Sequence, residues 1–135
     1  MGSGEVIIYE DVNGQTKLDV RLEGDTVWLN QAQMAELFQT TPQNITLHIG
    51  NIFREKELDN ISSCKEFLQV RLEGSRSVKR KQKFYNLDVI ISVGYRVKSF
   101  RGIQFRIWAN KVLREYLLKG YAINELRIKE KYEEL

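Results

Sequence analysis

Between Leu29 and Phe53 the apolar positions fall at helical spacing in two registers, which predicts two helices joined by a short turn. Leu29, Met34, Leu37 and Phe38 mark the inward face of the first helix, and Ile45, Ile49, Ile52 and Phe53 that of the second. Ala35 supplies a small residue where steeply crossing helices would touch. Thr41 followed by Pro42 suits the start of the second helix, because the threonine oxygen can accept from free backbone amides and proline tolerates the first turn. Gln39 stands where such a turn usually carries glycine, so it must accept a left-handed backbone or belong to a different turn. Gln43, Asn44, Thr46 and Leu47 are left facing outward.

Strand patterns flank this pair. Val6–Tyr9 and Lys17–Leu22 are short alternating runs separated by Asp11, Asn13 and Gly14, which predicts a hairpin, and a third strand is expected over Thr26–Leu29. Strand character returns at Phe67–Leu72, breaks at Glu73, Gly74 and Ser75, and resumes at Phe84–Tyr85 after the basic series Arg76, Lys79, Arg80, Lys81 and Lys83. Two strands with a basic tip make a wing. Leu87, Val89, Ile90, Val93 and Val97 outline a helix capped by Asn86; Phe105, Trp108, Val112, Leu113, Tyr116 and Leu117 outline another, expected to end at Gly120. Their aromatic residues read as core. The expected fold is therefore α+β: a helix-turn-helix with a basic β-hairpin wing, an N-terminal β-hairpin and two further C-terminal helices.

One domain is expected over residues 5–123, with Met1–Gly4 read as an expression remnant and 124–135 as a charged helical tail, or a linker to a further C-terminal region. The net charge of +3 says little, but its distribution says more. Residues 1–70 carry 5 basic and 11 acidic side chains, whereas 71–119 carry 13 basic and 3 acidic ones. That asymmetry suits a phosphate backbone as partner. Amide side chains at Gln43 and Asn44 can pair with adenine in the major groove, and Thr41, Thr46 and Leu47 complete the outward surface; Thr or Leu can meet a thymine methyl. Arg76, Lys79, Arg80, Lys81 and Lys83 would contact phosphates or the minor groove, adding affinity with little sequence information.

With Cys64 the only cysteine and His48 the only histidine, a zinc site of that type cannot form within one chain. No glycine-rich phosphate loop is present, no serine or cysteine nucleophile has a local histidine, and Asp88 with Glu115 is the one carboxylate pair outside the acidic first half worth weighing. No enzyme activity, cofactor or small-molecule substrate is expected. Neither a signal peptide nor a membrane span is legible, so a soluble cytoplasmic protein is expected.

The blocks VWLNQAQMAELF, NITLHIGNIF, KFYNLDVIISVGYRVKS and GIQFRIWANKVLREYLLKGYAIN, from Val27 through Asn124, resemble the N-terminal region of the virulence protein RhuM family of bacteria. That resemblance implies an origin on mobile or pathogenicity-associated elements. A more distant likeness, carried by Ser99, Phe105, Trp108, Val112 and Leu113, is to Bro-N and phage antirepressor domains, and implies DNA binding. The expected function is sequence-specific binding of double-stranded DNA in a regulatory role, as a homodimer. The alternative is an interaction or dimerisation module that addresses a fused C-terminal effector.

Overall fold

The structure, a computed structural model, describes the backbone of residues 5–133 and the side chains of 5–119 other than residue 71. The chain opens with β1 (Glu5–Glu10), β2 (Lys17–Glu23) and β3 (Thr26–Leu29), then forms α1 (Gln31–Phe38) and α2 (Pro42–Arg54). A short α3 (Asn60–Ser63) leads into β4 (Cys64–Glu73) and β5 (Arg76–Asn86), followed by α4 (Leu87–Arg96) and α5 (Arg101–Glu133). All strands join one antiparallel sheet in the order β1-β2-β3-β5-β4. The fold is α+β. Met1–Gly4, read from sequence as a remnant, and the last two residues of the charged tail lie outside the described residues.

Alternation along the strands decides which face carries the helices. Tyr9, Leu18, Val20, Leu22, Val27, Leu29 and Tyr85 are buried and join Met34, Leu37, Ile45, Ile49, Ile52, Val89, Ile90, Val93 and Phe105 in one core. Leu29 closes β3, so it belongs to the sheet and not to the first helix, as the helical spacing had suggested. The residue after it explains why: Asn30 is extended and caps α1, its side chain accepting from the Gln33 amide at 2.8 Å while Gln33 Oε1 accepts from the Asn30 amide at 2.9 Å.

Gln39 adopts the left-handed backbone (φ 55°), and the Thr40 amide donates to the Ala35 carbonyl at 2.9 Å, closing α1 in one turn. Lys56 and Lys98 do the same after α2 and α4, so three helix ends use a non-glycine residue where glycine is the easy choice. Thr41 caps α2 as its sequence predicts, accepting from the Asn44 amide at 3.1 Å.

The C-terminal helices differ from expectation in length. Asn86 does cap α4, through a bond from the Val89 amide. Gly120, expected to end the last helix, lies inside α5, whose 33 residues span about 50 Å. An isolated glycine costs a helix only about 1 kcal/mol, which the flanking helix formers offset. Tyr9 packs edge-on against Phe105 and Trp108, with centroids at 5.1 and 5.0 Å, so Trp108 is spent on packing.

Candidate nucleic-acid interface

Two elements carry the residues that the sequence singles out, and both are built locally. Helices α1 and α2 are joined by only Gln39, Thr40 and Thr41, and both bury their inward residues in the common core, Met34, Ala35, Leu37 and Phe38 from α1 and Ile45, Ile49 and Ile52 from α2. On the opposite side of α2, Thr41, Gln43, Thr46 and Leu47 are exposed. Asn44 is less free than its spacing implies: half-buried, it donates to the Thr40 hydroxyl at 2.9 Å. The Thr46 hydroxyl lies 2.7 Å from Gln31 Oε1 and 3.0 Å from the Pro42 carbonyl, so it too is engaged within the helix pair. Gln43 and Leu47 are the outward residues of α2 for which no such local bond is found among the described residues.

The basic series does not form a tip. It lies along β5, in an unbroken register with β4 from Cys64↔Tyr85 to Glu73↔Arg76, and the turn itself is Gly74–Ser75. Gly74 takes φ 65°, a conformation that a two-residue hairpin turn requires and a side chain resists. The sequence hid this strand because lysine and arginine at four of the five positions from Lys79 to Lys83 erase the apolar alternation; pairing to β4 supplies the order instead.

Register then divides the cations between two faces. Lys79, Lys81 and Lys83 share the face of Tyr85 and lie opposite Val70, Leu68 and Glu66 of β4. Arg76 and Arg80 point to the other face, where Arg80 holds Glu73 through Nε at 2.7 Å and Nη2 at 3.0 Å. That second face is anchored near its root: Phe67 meets Trp28 and Phe84 edge-on, and the Arg21 guanidinium lies 4.1 Å from the Phe67 ring centre.

The lysine face is the one on which α2 sits. Phe53 stacks on Tyr85, the last inward residue of β5, and Gln31 donates to the Tyr85 hydroxyl at 3.3 Å while its Oε1 meets Thr46. The α2 surface and the lysine row therefore flank one another on the same side of the sheet.

Ion pairs hold the ends of this arrangement, and sequence reasoning missed them. Arg96 of α4 reaches Glu55 at 2.6 Å and Glu57 at 3.0 Å, and the Ser92 hydroxyl also donates to Glu57, so the chain leaving α2 is clamped. The Ser92 and Arg96 bonds hold the Glu57 carboxyl below its usual range. Arg101 meets Asp11 and the Thr16 hydroxyl, each at 3.2 Å, tying the β1–β2 loop to α5. Burial alone would raise Asp11; the bonds at Thr16 and Gln15, with the Arg101 charge, outweigh it and leave the carboxyl low. Of the cations on α4, α5 and the turn between them, Arg96 and Arg101 are thus committed to carboxylates, whereas Lys98, Arg106, Lys111 and Arg114 are exposed.

The chain belongs to the virulence protein RhuM family, whose match covers residues 62–134, more than half of the sequence. The matched region takes in the β4–β5 hairpin, α4 and α5 and begins after α2, so it does not extend over the Val27–Ile61 part of the resemblance read from the sequence. No curated protein and no solved structure matches the chain. No helix of the described residues is long and apolar enough to cross a membrane.

Proposed function

We propose that the chain is a sequence-specific double-stranded-DNA-binding domain of regulatory role, acting in the cytoplasm without catalysis of its own. The observation that carries this reading is the shared side of the sheet: α2, on which Gln43 and Leu47 are exposed, packs on the face that bears the lysine row of β5, linked to its root through Thr46, Gln31 and Tyr85. In the reading, α2 enters the major groove, where the Gln43 amide and the Leu47 methyls meet base edges, while Lys79, Lys81 and Lys83 bind phosphates alongside. Thr41, Asn44 and Thr46 support α2 through their local bonds.

Fluorescence anisotropy with duplex fragments from the neighbouring genome tests it. Affinity should fall steeply as salt rises, and replacing Lys79, Lys81 and Lys83 with glutamine should flatten that slope by about three counterions. Absence of duplex binding at low salt, or a slope unchanged by the triple substitution, contradicts the reading.

One feature favours a second reading, an interaction or dimerisation module. Tyr95, Phe100 and Ile103 are 85%, 81% and 48% exposed around a cleft of about 570 Å³ between α4 and α5, and Ile107, one turn on in α5, is 61% exposed. Exposed apolar patches of this kind mark contact surfaces. The two readings are compatible in a homodimer that pairs through this end and presents two copies of α2 to paired half-sites.

A further inference from the structure

The face of the hairpin that bears the lysines also bears an uncovered aliphatic row. Leu68, Val70 and Leu72 alternate along β4 on that face and are 62%, 66% and 81% exposed. They stand opposite Lys81, Lys79 and Ser77. One strand of the ribbon is thus mainly aliphatic and the other mainly cationic, the two rows being offset by one pair, with Ser77 opposite Leu72 and Glu66 opposite Lys83. From Arg76 to Phe84, β5 pairs only with β4 among the described residues, because β3 reaches no farther than Leu29↔Tyr85. The ribbon therefore runs roughly 30 Å past its last pair with β3, far longer than a turn needed only to touch a phosphate.

Three largely exposed aliphatic side chains are costly, and among the described residues no helix covers them. A second copy laid face to face so that the aliphatic rows meet would also bring its lysine row against this one, and the alternative twofold would set each lysine row over the partner's aliphatic row. A polyanion with an apolar wall removes both problems, and the minor groove offers that combination: phosphates on its rims and sugar carbon–hydrogen groups on its walls. Resting on the proposed DNA-binding function, we infer that the distal hairpin lies along the minor groove next to the α2 site. Lys79, Lys81 and Lys83 follow one phosphate strand, and Leu68, Val70 and Leu72 press against the sugars and widen the groove. The assignment selects one face of the ribbon; the Arg76 and Arg80 face is directed away.

The test uses the whole chain, a short duplex with an A·T-rich centre adjoining the preferred site, and netropsin as a minor-groove blocker. Parent binding should weaken when netropsin is present. The variant Leu68→Thr, Val70→Thr, Leu72→Thr keeps strand propensity and should lose about tenfold in affinity together with its netropsin sensitivity. Gln69→Thr with Val78→Thr, on the opposite face, should stay within about twofold of the parent. An aliphatic-row variant as tight and as netropsin-sensitive as the parent overturns the inference, as does equal loss from the opposite-face variant or tighter binding to phosphatidylserine vesicles than to the duplex. If the lysine substitutions weaken binding while the aliphatic ones do not, the hairpin inference alone fails; if the parent binds no duplex, the DNA-binding function fails with it. Should the triple variant not fold, iron–EDTA tethered at Val70→Cys in a Cys64→Ser background decides. Cuts staggered toward the 3′ side across the minor groove support the placement, and a 5′ stagger or no cutting overturns it.

Discussion

The Thr46 hydroxyl lies 2.7 Å from Gln31 Oε1, and the amide of the same Gln31 donates to the Tyr85 hydroxyl at 3.3 Å. A single side chain on α1 thus fixes the outward surface of α2 relative to the root of the hairpin. Gln31→Ala removes both contacts. It should lower stability by about 1 kcal/mol, near the net worth of one or two part-exposed hydrogen bonds, measured by urea unfolding. A variant as stable as the parent would show that Phe53 stacking on Tyr85 alone sets the relationship.

Gly94 and Gly102 mark the crossing of α4 and α5. A methyl group at Gly94 would sit 3.1 Å from Cε1 and Cζ of Phe38 and 3.4 Å from the Gly102 Cα. Gly94→Ala should therefore destabilise by roughly 1–3 kcal/mol through overpacking, whereas Gly102→Ala, whose closest contacts are 3.4 Å, should cost less. Thermal unfolding of the two variants gives the order; a Gly94→Ala protein that melts at or above the parent contradicts it.

Acid should lower the stability of the domain through its two low carboxyls. Asp11 and Glu57 both titrate below their ordinary values when folded, so their contribution is present above the unfolded pKa and is lost as pH falls through the lower, folded one. Below about pH 4 the parent should lose stability more steeply than Glu57→Gln, which has no carboxyl to protonate at that position. Parallel stability-against-pH curves for the two proteins would remove Glu57 from the acid transition.

Much of this architecture is legible in the chain, and the failures have identifiable causes. The helix pair could be read because its apolar spacing, the Thr41–Pro42 start and the small Ala35 all agree, and Asn86 announces α4 in the same way. Only Gln39 ran against the local rule, and it takes the left-handed conformation there. β5 was hidden because its charged residues gain their order from β4, and α5 runs on because nothing near Gly120 is strong enough to stop it. The candidate interface was half legible: the sequence shows which cations cluster but not that Arg80 turns to Glu73 while three lysines share a face with Tyr85. That division depends on register, which one strand alone does not contain.

Pairing should occur through the α4–α5 end. Sedimentation at micromolar concentration, or on a palindromic duplex, should show a homodimer, and Phe100→Ser with Ile107→Ser should shift it to monomer without loss of fold, since both side chains are exposed. A parent that is monomeric both free and on DNA contradicts the pairing.

The ratio of affinity for the preferred duplex to affinity for random duplex tests the central claim most directly. Gln43 and Leu47 are exposed on α2, so alanine at either should leave the fold intact. If α2 reads bases, each substitution should cost roughly 1–3 kcal/mol on the preferred site and leave random-sequence binding nearly unchanged, so the ratio falls about 5- to 150-fold. An unchanged ratio in both variants means that α2 does not read DNA.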